Sequence, residues 1–278
     1  RIPRFIQKAG RAGCHKVFIG LENINAAALK STGKKQNHVE QYRDMLQDWR
    51  RAGVLITAGY IVGFPNDTKE SVLKDIEVIK KELPIDLLEF FMLTPLPGSE
   101  DHQTLVKQGV SLETDMNSYD LEHPCVKHPL MSPAAWRECY DAAWHSYYSD
   151  KNVEQLFRRR FADGNSVRRL QEQVMWFYGS ILFEKLHPLQ SGILRRKSRS
   201  ERRPSFKKEN ILVFYARYFL EIATTVVGLL KLHLRLEKIR KRIQNDPQGK
   251  DYQDEATKPP CKKTTIEDDK LVLPVSAA

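Results

Sequence analysis

Between residues 16 and 109 the chain repeats one pattern three times: a short apolar run, a turn, then a longer stretch with apolar residues at helical spacing. Runs of that kind predict βα units and a parallel sheet. The first run, Lys16-Val17-Phe18-Ile19-Gly20-Leu21-Glu22, leads to a helix over about 38–52 that carries Tyr42, Leu46 and Trp49 on one face and ends at Gly53. The second, 54–62, is almost continuously apolar, as expected of a strand covered on both sides. After Gly63-Phe64-Pro65-Asn66-Asp67, Thr68 is placed as an N-cap; Glu70 and Asp75 give the next helix an acidic start, and Val72, Ile76 and Ile79 give it a buried stripe. A third strand over 86–94 runs into Pro95-Leu96-Pro97-Gly98-Ser99 and a shorter helix to about Gly109.

Parallel strands joined by right-handed crossovers bring their C-terminal ends to one edge. Three loops therefore gather there: Glu22-Asn23-Ile24-Asn25, the 63–67 turn and 95–99. Ligands bind at that edge in barrels and open sheets alike. A sheet of three strands would leave the first as an apolar edge, so a further pairing strand is expected N-terminal to Arg1. Beyond the βα units, 110–131 reads as an extended connection, and Ser132-Pro133 opens a helix through Trp136, Tyr140, Trp144 and Tyr147. The expected division is 1–109 for the βα part, 110–149 for the connection and its helix, 150–245 for a basic helical extension and 246–278 for a disordered tail.

Composition narrows the chemistry. The 278 residues are 41% hydrophobic, enough for a sizeable core. Cys14, Cys125, Cys139 and Cys261 lie no closer than 14 residues apart, which excludes a disulfide framework and any C-x-x-C pair. A net charge of +10 admits anionic partners without choosing among them. No signal-peptide pattern and no run of eighteen uncharged apolar residues is present, so a soluble cytoplasmic protein is expected.

Each candidate feature carries a functional and a plain reading. Glu22, at a strand end, could accept hydrogen bonds from ribose hydroxyls, or be a solvated terminus. Gly59, inside a strand, suggests close approach of a ligand or another backbone, while Gly63 and Pro65 shape a tight exit that an ordinary βα turn would also need. The 94–99 segment is either a rigid turn or a wall of a ligand site. His123-Pro124-Cys125-Val126-Lys127-His128 has zinc-type ligands at short spacing but too few of them, so no metal ligand is assigned. The basic run over 195–204 is a phosphate contact or a solvated linker; it lacks interleaved aromatics, and nucleic acid is disfavoured. The apolar helix over about 210–240 contains Arg217 and Glu221, which favours docking on the protein over a membrane span and leaves weak membrane-surface association as the minor alternative.

Taken together, Val17-Phe18-Ile19-Gly20-Leu21-Glu22, Gly59-Tyr60-Ile61-Val62-Gly63-Phe64-Pro65-Asn66-Asp67-Thr68 and Leu93-Thr94-Pro95-Leu96-Pro97-Gly98-Ser99 resemble the latter half of the radical S-adenosylmethionine (SAM) barrel. With Asp115 to Asp120, His123 and the 136–148 helix, the resemblance is to the cobalamin-binding branch related to anaerobic magnesium-protoporphyrin ester cyclases. It implies an α/β fold, the C-terminal half of a partial (βα)6 TIM-like barrel, followed by the helical extension. It also implies a 4Fe-4S cluster, reductive cleavage of SAM to a 5′-deoxyadenosyl radical, cobalamin as a further cofactor, and a hydrophobic or tetrapyrrole-like small-molecule substrate. By position, Glu22 would face the SAM ribose, Lys34 the methionine carboxylate, and the backbone at Gly59, Tyr60 and Ile61 the adenine. Pro97 and Gly98 would wall the substrate cavity. The cysteine triplet of that family is absent from this chain. The resulting expectation is a fragment, inactive alone, partnered by the N-terminal half of a parent enzyme; the alternative is a non-catalytic basic module or scaffold on nucleic acid or an anionic membrane.

Overall fold

The computed structural model describes residues 4–24, 39–192, 196–202 and 205–258. Its centre is a mixed α/β core. Strands β1 (Lys16–Glu22), β2 (Leu55–Val62) and β3 (Leu87–Met92) form one parallel sheet in chain order. The crossovers run through α2 (Val39–Arg51) and α3 (Lys69–Glu82). β2 lies in the middle and is buried along nearly its whole length, which accounts for its unbroken apolar sequence. β1 is an edge strand, with Phe18 56% exposed. The three βα units of the sequence reading are therefore present, whereas the expected partial radical SAM barrel is corrected to a three-stranded sheet covered by helices.

Local chemistry places the helices that cover the sheet. Thr68 and Ser71 form a reciprocal capping box that starts α3, and Val72, Ile76 and Ile79 are buried beneath it. Ser132 accepts the Ala135 N–H, with Pro133 in the first helical turn, and so starts α5 (Pro133–Tyr147), which follows the short α4 (Glu100–Lys107). Trp136, Tyr140, Trp144 and Tyr147 recur at helical spacing and are all buried. Phe90 of β3 meets the Trp144 ring edge-on at 5.2 Å and the Tyr60 ring at 6.0 Å, so the sheet, α3 and α5 share one aromatic core.

Four features depart from the sequence pattern. A short α1 (Phe5–Arg11) precedes β1, with Phe5 edge-on to Trp49 at 6.1 Å. The connection over 110–131 contains a 3-10 turn, Met116–Ser118, and a single antiparallel bridge between Leu112 and Val126. After α6 (Asp150–Ala162), α7 (Val167–Gly179) and a π-helical turn (Ser180–Glu184), α8 (Ile211–Gln244) runs for 34 residues and is long and apolar enough to cross a membrane by length and composition. The tail expected to be disordered is docked as far as Lys258: Gln47 Nε2 donates to Ala256 O at 3.1 Å and Lys258 O at 2.8 Å, and Arg159 pairs with Asp254 at 2.6 Å.

Candidate functional site at the C-terminal edge of the sheet

β1 ends in an irregularity that alternation alone does not show. The register slips between Gly20 and Glu22, which brings Glu22 opposite Tyr60. Glu22 adopts φ 62°, and the Asn23 N–H closes back on Leu21 O at 2.8 Å. That is a three-residue turn with a left-handed centre, a conformation costing a non-glycine residue about 1–3 kcal/mol. Glu22 is half-buried there, and its carboxylate lies 3.9 Å from where a Cβ on Gly20 would stand.

The second loop is fixed from three sides. Asp67 Oδ2 accepts the N–H groups of Gly63 and Phe64, each at 2.9 Å. Burial pushes the Asp67 carboxyl pKa up, and those two N–H bonds pull against the shift. His128 lies below: Nε2 donates to Phe64 O at 2.9 Å, while Nδ1 accepts from Leu130 and Met131, both at 3.0 Å. These partners assign the ring proton to Nε2. Trp136 Nε1 donates to Val62 O at 3.1 Å, and its ring lies against Gly63, where an added Cβ would come within 2.1 Å of it. Gly63 also sits at φ 109°, so conformation and space both demand glycine. The third loop is lighter. Ser99 accepts the His102 N–H at 3.2 Å and caps α4, while Pro97 and Gly98 stand exposed.

On the face of the sheet running up to this edge, Gly59 makes room for side chains: a Cβ there would come within 2.8 Å of the Phe18 ring and 3.1 Å of Phe91. The close approach read from the sequence is thus ring packing. Lys16 donates to Gln173 at 3.2 Å and lies 4.8 Å from the centre of the Phe177 ring. Burial lowers the Lys16 pKa and raises that of Glu89, each opposed by the charge of the other. The Thr57 hydroxyl is buried there with no hydrogen-bond partner.

Among the expected site residues, Glu22, Tyr60 and Ile61 come together at the edge through the strand register. Tyr60 sends its side chain the other way, its hydroxyl donating to Asp75 at 2.9 Å, so only its backbone borders the edge. Ile61 pairs with Phe91. Lys34, its neighbours 33–37 and Asn25 lie outside the described residues. The three side chains of the 123–128 segment are used separately: His123 pairs with Asp120 at 2.8 Å, Cys125 donates to Ser118 O at 3.1 Å, and His128 supports the 63–67 turn. Among the described residues no group of three or more His, Cys, Asp and Glu could hold a metal. Sequence reasoning missed His128 and Trp136 as parts of the edge. Asp67 and the exit glycine were the only signals pointing to them.

The chain is 29% identical over 152 residues to an uncharacterized methyltransferase of Pyrococcus horikoshii, covering 53% of this chain and 33% of that protein. It is 28% identical over 155 residues to the bacteriochlorophyllide d C-8(2)-methyltransferase of Chlorobaculum tepidum, covering 54% and 34%. It is 30% identical over 121 residues to the bacteriochlorophyllide d C-12(1)-methyltransferase of the same organism, covering 44% and 26%. The chain thus spans about a third or less of the length of these relatives. No protein-family model matches it. These names correct the resemblance drawn from the motifs. The relatives are methyltransferases, so the assignment to a radical SAM fragment that cleaves SAM at a 4Fe-4S cluster is set aside, and with it cobalamin and the N-terminal half as partner. The alternative of a non-catalytic basic module gains nothing from them either.

Proposed function

We propose that this chain is part of a SAM-dependent methyltransferase and that the C-terminal edge of its sheet receives the nucleoside end of SAM. The observation that carries the reading is the similarity to three methyltransferases over 121 to 155 residues. The edge suits the ligand chemically. Glu22 stands at the edge opposite Tyr60, and a carboxylate at that position suits vicinal ribose hydroxyls. The backbone at Tyr60 and Ile61, one strand over, offers peptide groups beside an apolar side chain, the combination that a purine ring accepts. Lys34 is assigned the methionine carboxylate, and Pro97 with Gly98 the outer wall toward the acceptor. SAM supplies the activated methyl group when bound; the residues here hold and orient it.

Two of the relatives are named for methylating a bacteriochlorophyllide, and we assign this chain an acceptor of the same kind, a large, flat, apolar small molecule. The test is to incubate the whole product of the gene with methyl-labelled SAM and a chlorophyllide-type acceptor. Label should appear in the acceptor with S-adenosylhomocysteine as co-product, and Glu22→Gln should raise the KM for SAM about tenfold or more, the loss of roughly one charge-assisted hydrogen bond. Absence of both SAM binding and S-adenosylhomocysteine release would overturn the reading.

A further inference from the structure

α8 is clothed along one side only. Leu232, Leu236, Ile239 and Ile243 are buried, and the same side continues upstream through Thr225 and Phe214. Gly228 lets the Phe183 ring in so closely that a Cβ would lie 2.4 Å from it. Basic side chains from the preceding segment cover the rest of that side: Arg196 reaches Glu221 at 3.4 Å and Thr225 at 3.2 Å, and Arg202 lies 5.8 Å from the Phe214 ring centre.

The opposite side is bare. Leu212 is 78% exposed, Phe219 62%, Leu220 64%, Leu230 55% and Leu234 59%. With Ala216, Ala223 and Val227 between them, these positions recur every three or four residues and form one uncharged stripe. At 1.5 Å per residue it runs for about 33 Å. Exposed Lys231 lies along one margin with Arg217 and Arg235, which pair with Glu209 at 2.7 Å and Asp150 at 3.3 Å, and exposed Lys207 and Lys208 precede the helix.

We propose that α8 lies flat on an anionic membrane surface, its stripe sunk among the acyl chains and its basic margin among the headgroups. The charge of the margin and the net +10 of the chain select an anionic lipid surface. The stripe carries no polar side chain by which a protein partner would be specified. Spanning is excluded by the other side of the helix: a span would strip Phe183, Thr225 and the Arg196–Glu221 pair from their contacts and carry Arg217 and Glu221 into hydrocarbon. A wide apolar face opposite a covered, charge-bearing one is the layout of an interfacial helix. The proposal is independent of the methyl-transfer reading.

The test is flotation of the full chain with vesicles of phosphatidylcholine alone or with about one-third phosphatidylglycerol, alongside sedimentation velocity without lipid. Binding should be strong to the anionic vesicles and about tenfold or more weaker at 0.5 M salt or on neutral vesicles. Phe219→Glu with Leu230→Glu should cost at least tenfold, with the helical circular dichroism unchanged because both side chains project into solvent. Lys231→Glu with Arg235→Glu should weaken binding to anionic vesicles only. Failure to bind anionic vesicles, equal binding by the double-glutamate variant, or a lipid-free dimer that this variant dissociates would each overturn the proposal.

Discussion

The two ends of the parallel sheet are built by opposite means. At the N-terminal end, long guanidinium groups from α6 reach across the strands: Arg160 donates to Gly53 O at 3.1 Å and faces the Asp86 carboxylate at 3.8 Å, while Arg159 donates to Lys80 O at 2.7 Å and pairs with Asp254. Arg50 of α2 holds Asp163 at 2.6 Å. At the C-terminal end the buried carboxylate of Asp67 is held by main-chain N–H groups of its own turn, with His128 and Trp136 bonded to the adjacent carbonyls. One end ties segments that are far apart in sequence. The other holds its turn with main-chain N–H groups and two aromatic side chains rather than with ion pairs, and leaves Pro97 and Gly98 exposed. The charges of the first end are thus spent on cohesion between distant segments.

The sharpest way to break that contrast is Arg160→Leu, which strands the buried Asp86 carboxylate. Urea denaturation should show a loss of about 3–5 kcal/mol, with part of it returned when Asp86→Leu is added. At the other end, Gly63→Ala must push the Trp136 ring aside at a left-handed position, and a loss of more than about 2 kcal/mol is expected by the same measurement. Beside α5, Glu122 is buried and its carboxyl pKa is pushed from 4.5 to about 7 by that burial, with Arg137 opposing at 4.0 Å. The native state therefore holds the proton more tightly than the unfolded chain, and stability falls as pH rises from 4.5 through about 7. Glu122→Gln should leave the melting temperature unchanged near pH 4 and raise it relative to the parent at pH 8. The smallest effect is expected for Gln47→Ala, which releases the docked tail: about 1 kcal/mol or less in global stability, but faster proteolytic cleavage near Lys258.

Strands, crossovers and caps were legible because each leaves a local signature. Thr68 and Ser132 sit where a cap is required, and the continuous apolar run of β2 announced its central place. The candidate site was legible only in its loops. That Gly63 exists to admit Trp136, 73 positions along the chain, is a packing relation that no window of sequence contains. Gly59 was read as the close approach of a ligand or another backbone, but what approaches is a pair of phenyl rings. The tail misled for a related reason: its polar composition hid the Asp254 carboxylate and Lys258 carbonyl, whose partners lie on α6 and α2.

Trp136 gives the edge an optical gauge. Its indole is fully buried, bonded to the last carbonyl of β2, and 5.1 Å edge-on from the imidazole of His128. An indole so enclosed emits at short wavelength. Anything that lifts the 63–67 turn, whether a ligand or a substitution, would therefore register as a colour and intensity change within the protein itself, without an added label.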